Sequence, residues 1–188
     1  MMGEMKMMDH IAAHSLQVCR VATFLTEHLN QQRYGLNFDL IQSAALLHDI
    51  TKTRSFETRE DHALTGGEYL ADCGYAEIGD LIRQHVKLDK YSDTGTIGEG
   101  EVLNYADKRV LHDEIVALDK RLEYILERYA KTPEHREGIY LLWKKTKNLE
   151  DRIFGVLSFA TGDLNQLIQP RDWTVEFKEY QKLCAQGS

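Results

Sequence analysis

The chain has 188 residues, 43% of them apolar and 28% charged, and a formal charge of −7. Two domains in that length would each be very small, so one domain with a real core is expected. The acidic balance disfavours a general nucleic-acid binder, which needs a basic footprint, and any anionic substrate must find local cations that offset the field.

Only two prolines occur, Pro133 and Pro170, and strand-like alternation of Val, Ile and Thr is scarce. This predicts an all-α chain of long helices with no substantial sheet. Cys19, Cys73 and Cys184 are widely spaced and form no CxxC pair, as expected of reduced thiols in a cytoplasmic protein. No stretch approaches a membrane span, and the start Met1-Met2-Gly3-Glu4 lacks a signal-peptide core. No membrane partner is expected.

In chain order, Asp9 is placed to cap a first helix carrying Ile11, His14, Val18, Ala22, Leu25 and Leu29 at helical spacing. Residues 31–37 form a polar turn in which Gly35 can take positive φ. Asp39 can cap a nearly all-apolar second helix through Leu40, Ile41, Ala44, Ala45 and Leu47 to His48. Such a helix is usually central to its bundle. Residues 53–59 read as a charged loop. A helix from about residue 60 puts His62, Gly66, Leu70 and Cys73 on one side, with Gly74 as its stop. A short helix then aligns Ile78, Leu81, Ile82 and His85, and residues 89–100 read as a surface loop. One long helix is predicted over 101–131, with Leu103, Asp107, Val110, Leu111, Leu118, Leu122 and Ile125 inward. Thr132-Pro133 opens another to about residue 160, and one or two short helices follow Thr161-Gly162-Asp163.

His14, His48, His62, His85 and Asp107 fall on apolar stripes, and Asp49 is tied to His48 by adjacency. Singly, each is explained as a hydrogen-bonded core residue, a cap or an ion-pair partner. Together they are costly to bury unless they share a cation, which satisfies all of them at once. Imidazoles suit Fe, Mn, Zn, Co or Ni, and the carboxylates also tolerate harder ions such as Mg. Lys52 lies one helical turn beyond His48, and a metal with an ammonium beside it is suited to phosphate.

The order His14, His48-Asp49, Asp107 resembles the H…HD…D signature of the HD superfamily of metal-dependent phosphohydrolases, which are all-helical. The local detail matches too: His14 followed by Val18 and Ala22, Leu46-Leu47-His48-Asp49-Ile50 with Lys52, His62 with Gly66, and Ala106-Asp107. The resemblance spans roughly residues 9–115. It does not cover the C-terminal third; the expected organisation is one domain over 1–188, a helical bundle with the HD metal-binding core at 9–115 and C-terminal helices at 116–188 packed on it. By that resemblance His14, His48, Asp49 and Asp107 ligate one metal. His62 and His85 look like members that hold a second, with Asp49 bridging. The pattern is most similar to the bacterial branch resembling symmetrical dinucleoside tetraphosphate hydrolases. The cyclic-dinucleotide phosphodiesterase branch carries a GYP motif and paired histidines, and His85-Val86 lacks both.

The implied reaction cleaves a phosphoester or phosphoanhydride of a nucleotide or another small phosphorylated substrate by attack of metal-bound hydroxide. Lys52 would hold non-bridging oxygens, and Asp49 or Asp107 would orient the water or accept its proton. Arg54, Arg59, Lys87, Lys90, Lys108 and Arg109 are candidate contacts for further phosphates, weighed against solvated surface cations. A di-iron oxygenase of the same family, a nucleotide-sensing regulatory protein and a helical adaptor are the alternatives. The protein is expected as a monomer or homodimer. His10, His28, the second His-Asp pair at His112-Asp113 and His135 read as decoys, while Tyr140, Trp143 and Trp173 read as core or cover.

Overall fold

A computed structural model describes residues 1–89, 91, 95–168, 175, 178–179, 181–182 and 185. Lys90, Pro170, Trp173 and Cys184 lie outside the described residues. The architecture is all-α. The helices are α1 (Asp9–Gln31), α2 (Phe38–Leu47), α3 (Lys52–Thr58), α4 (His62–Asp72), α5 (Ala76–Ile82) and α6 (Glu99–Lys108). A hairpin of β1 (Val110–Leu111) and β2 (Glu114–Ile115) follows, then α7 (Leu118–Tyr129), α8 (Pro133–Phe154), a 3₁₀ turn (Thr161–Asp163) and α9 (Leu164–Leu167). Among the described residues no helix is long and apolar enough to cross a membrane.

The stripe Ile11, Val18, Ala22, Leu25, Leu29 is buried along α1, and α2 packs against α1, α5 and α6. Both caps differ from expectation. The N-cap of α1 is Met8, and Asp9 stands in the first turn, where a carboxylate faces the positive helix end. The N-cap of α2 is Asn37, whose side chain accepts from the Leu40 N–H, rather than Asp39. One buried cluster runs from Met7 to Ile168 and takes Leu149, Ile153 and Leu164 from the C-terminal third.

Two further sequence expectations fail for physical reasons. Residues 53–59 are not a loop but mostly helix α3, which buries no residue and so leaves no apolar period to read. The long helix over 101–131 is broken. Its first part ends at Lys108, and the chain turns through the antiparallel pairs Val110↔Ile115 and Leu111↔Glu114, with His112 at φ 57°. The Val110-Leu111 and Ile115-Val116 pairs are as apolar as a helix stripe, so the short hairpin is masked by its own burial. Further on, Thr132 caps α8 as expected, its hydroxyl accepting from the His135 N–H at 3.2 Å, but α8 stops at Phe154.

Helices α4 and α5 cross with their backbones nearly touching. A Cβ on Gly79 would sit 2.5 Å from the Gly67 carbonyl oxygen, and one on Gly67 would sit 2.8 Å from that of Gly79. A Cβ on Gly66, singled out in the sequence for close approach, would sit 3.1 and 3.3 Å from the Ile82 and Ile50 side chains. Backbone cannot yield as a flexible side chain does, so Gly79→Ala must push the helices apart. The expected cost is about 1–3 kcal/mol, read as a melting temperature several degrees lower. An unchanged melting temperature would show that α5 slides at no cost.

Candidate metal centre

Five separate segments converge on one point. His14 comes from the buried face of α1, His48 from the C-cap of α2, and Asp49 from the turn after it. His62 is the first residue of α4, a start fixed by Asp61, whose carboxylate accepts from the Ala63 and Leu64 N–H groups. His85 sits in the turn closing α5, and Asp107 lies at the end of α6.

Three histidines have their tautomer set by backbone. The Nδ1–H of His14 donates to the His112 carbonyl at 2.8 Å, that of His48 to Ala45 at 2.8 Å, and that of His85 to Ile82 at 2.6 Å. A carbonyl can only accept, so each neutral ring turns the lone pair of Nε2 inward, the arrangement a metal ligand needs. Around the first position, His14 Nε2 stands 3.0 Å from Asp107 Oδ1, and His48 Nε2 stands 3.4 Å from Asp49 Oδ2 and 3.7 Å from Asp107 Oδ1. Around the second, His62 and His85 present Nε2 atoms 3.2 Å apart, at 3.2 and 3.5 Å from Asp49 Oδ1.

Thus two triplets, His14-His48-Asp49 and Asp49-His62-His85, have donor atoms close enough to hold an ion each, and Asp49 belongs to both. His48 Nε2 and Asp49 Oδ1 are buried without a hydrogen-bond partner among the described residues. Such atoms are normally satisfied, and a divalent cation would satisfy them. The donor set fits one.

Electrostatics hold the two carboxylates and His85 in the form a ligand needs. Burial pushes the Asp49 carboxyl up, but His48 and Lys52 pull it well below the usual range. Asp107 is lowered likewise against burial, by His14, Arg121 and His48. Burial brings His85 down to about 4, so its imidazole is neutral near pH 7. For His48 burial lowers the pKa but Asp49 and Asp107 outweigh it, and the net direction is up. Lys52 Nζ donates to Asp49 Oδ2 at 2.6 Å, and this carboxylate holds the ammonium up despite burial.

The cluster floors a cavity of about 540 Å³. His14, Asp49, Lys52, His62, His85 and Asp107 all line it, while His48 is fully buried behind them. Of the candidate phosphate contacts among the described residues only Lys108 joins the wall, donating to the carbonyls of His85 and Val86 at 3.1 and 3.3 Å. Arg54 is paired with Glu60 at 2.6 Å, and Arg59 and Lys87 are exposed elsewhere. Arg109 is turned into the core, where it donates to the carbonyls of Val116 and Thr161. There the Tyr105 hydroxyl donates to Glu150 and ties α6 to α8. Tyr140, expected as core or cover, is exposed.

Sequence reasoning missed the far wall. Arg121, Tyr124 and Arg128 line the cavity from α7 beside Ile125, which was expected inward, and Trp143 lines it from α8, with Arg121 4.0 Å from Asp107. Their spacing at i, i+3, i+4 and i+7 was the available signal. His10 and His112, read as decoys, also line the cavity, and the carbonyl of His112 orients His14.

The HD domain family matches residues 11–153. Among curated proteins, Ribonuclease Y of Rubrobacter xylanophilus is 34% identical over 69 residues, 37% of this chain and 12% of that protein. Those of Fusobacterium nucleatum and Fervidobacterium nodosum are 24% and 26% identical over 137 residues, 71% of this chain and about a quarter of each relative. The chain therefore spans between 12% and 26% of the length of these relatives. No solved structure matches it significantly.

Proposed function

The chain belongs to the HD domain family, and from that premise we propose that it is a metal-dependent phosphohydrolase acting on a small phosphorylated substrate. The observation that carries the reading is the pair of donor triplets sharing Asp49 at the floor of a cation-lined cavity. Bound there, a divalent cation acidifies water and supplies positive charge to phosphoryl oxygens. The chain's own groups do the rest. Lys52, reaching from Asp49 into the cavity, offsets charge on a non-bridging oxygen. Asp49 or Asp107, both held as carboxylates, would orient the attacking water or accept its proton.

Ester and anhydride bonds both suit this site. The pattern similar to dinucleoside tetraphosphate hydrolases puts dinucleoside polyphosphates among the substrates to test, and the name of the Ribonuclease Y relatives adds RNA. The formal charge of −7 counts against a long polyanion.

The test is metal analysis beside phosphate release from p-nitrophenyl phosphate, its bis-ester, dinucleoside tetraphosphates and a short RNA. Metal-dependent release that His48→Ala abolishes is expected. Bound iron with oxygen consumption and turnover of an organic substrate, without phosphate release, would replace this reading with the oxygenase one.

A further inference from the structure

Helix α6 reaches the site twice. Asn104, Asp107 and Lys108 stand at i, i+3 and i+4 and so share one face. Asp107 belongs to the metal cluster, whereas Asn104 and Lys108 donate to the turn that closes α5. The carbonyls of residues 84–86 lie past the end of that helix and accept no backbone N–H among the described residues. Asn104 Nδ2 donates to the carbonyls of Gln84 and His85 at 2.8 and 3.0 Å. Lys108 Nζ donates to those of His85 and Val86 at 3.1 and 3.3 Å, and to that of Asn104 at 3.4 Å.

An ammonium has three donors, and these carbonyls occupy them all. None is left for a phosphate oxygen, although Lys108 lines the cavity. Burying the ammonium costs stability that a methionine of similar length would not, and the hydrogen bonds offset that cost. What the bonds hold is His85. Its Nδ1–H donates to the Ile82 carbonyl within the same turn. The backbone there therefore sets both the tautomer of the ring and the aim of Nε2 at Asp49 Oδ1, 3.5 Å away.

Resting on the reading of the cluster as a two-ion centre, we infer that Asn104 and Lys108 are positioning residues for the second ion: they clamp residues 84–86 and so hold His85 in ligand geometry. His14 and His48 donate to the carbonyls of His112 and Ala45, outside the clamp, so the first ion does not depend on it. The sign of one effect separates this role from plain electrostatics. Removing the Lys108 charge beside a cation site should tighten binding by Coulomb's law alone. The clamp makes the same change weaken it.

The test is calorimetric titration of the metal-free protein with zinc, beside Asn104→Ala and Lys108→Met. Wild-type protein should take two ions per chain. In each variant the second should bind about ten- to a hundredfold more weakly, and the first within about threefold of wild type. If one variant fails to fold, the other decides. A second ion bound as tightly as in wild type, or more tightly in Lys108→Met, overturns the inference. So do both ions weakened alike, or both variants failing to fold, since the pair would then support the bundle and not His85. A raised KM for p-nitrophenyl phosphate in Lys108→Met, with both ions retained, makes Lys108 a phosphate contact and overturns it too.

Should wild-type protein take a single ion, that failure belongs to the two-ion reading, and long-range ¹H–¹⁵N spectra of the metal-free proteins decide the clamp. His85 should be a pure Nδ1–H tautomer in wild type and a mixture in both variants, with His14 and His48 unchanged. An unchanged His85 removes the clamp whatever the metal count.

Discussion

Asp49→Ala is expected to remove bound metal and activity together. Asp49 is the one residue in both donor triplets, with Oδ1 facing His62 and His85 and Oδ2 facing His48 and Lys52. Without it each triplet keeps two imidazoles, the Lys52 ammonium has lost its carboxylate, and a divalent cation is left to accumulate against that charge. Lys52→Ala separates binding from turnover. Its ammonium donates to Asp49 but offers no lone pair to a metal, so metal content should be retained. The rate should fall by about 10²–10³, the usual loss when one contact to developing charge is removed. Metal content by mass spectrometry and phosphate release are read on both proteins, with circular dichroism to confirm folding. Equal metal loss in the two variants would show that Lys52 assembles the site rather than meeting substrate.

The same residues show why one half of the cavity was legible in the sequence and the other was not. His14 shares an unbroken stripe with Val18 and Leu25, and His48 ends a helix that is apolar on most sides. Periodicity alone therefore turned both inward, and the structure brings the four histidines and two aspartates of the notional ligand set to one place. Arg121 was invisible for a geometric reason. On a continuous helix it would stand about 21 Å along the axis from Asp107, at 1.5 Å per residue, far beyond contact. The hairpin at 110–115 folds α7 back and brings the guanidinium within 4.0 Å. Only the positive φ at His112 marks that turn, and histidine is not a residue that announces it. The service His112 renders to His14 uses a backbone carbonyl, which no side-chain pattern encodes. Helix α3 escaped because nothing in it is buried.

The largest effect after loss of Asp49 is expected from removing His62 and His85 together. Their Nε2 atoms lie 3.2 Å apart and share Asp49 Oδ1, while His14, His48, Asp107 and the second oxygen of Asp49 are independent of them. The two imidazoles arrive from different helices, α4 and the turn after α5, whose closeness depends on the Gly67–Gly79 crossing. Burial keeps His85 unprotonated near pH 7, so no proton competes with a cation for its Nε2. Such an arrangement serves a second cation better than it serves packing, because it turns the Nε2 lone pair of His85 toward a carboxylate, with His62 Nε2 3.2 Å away. His62→Ala combined with His85→Ala should therefore take fully loaded protein from two metals per chain to one. Activity should fall while the first ion stays. If the imidazoles instead only hydrogen-bond within the bundle or touch substrate, wild-type protein loads a single metal and the double variant keeps it. Metal stoichiometry of the two proteins, loaded and washed side by side, distinguishes a dinuclear centre from a mononuclear one.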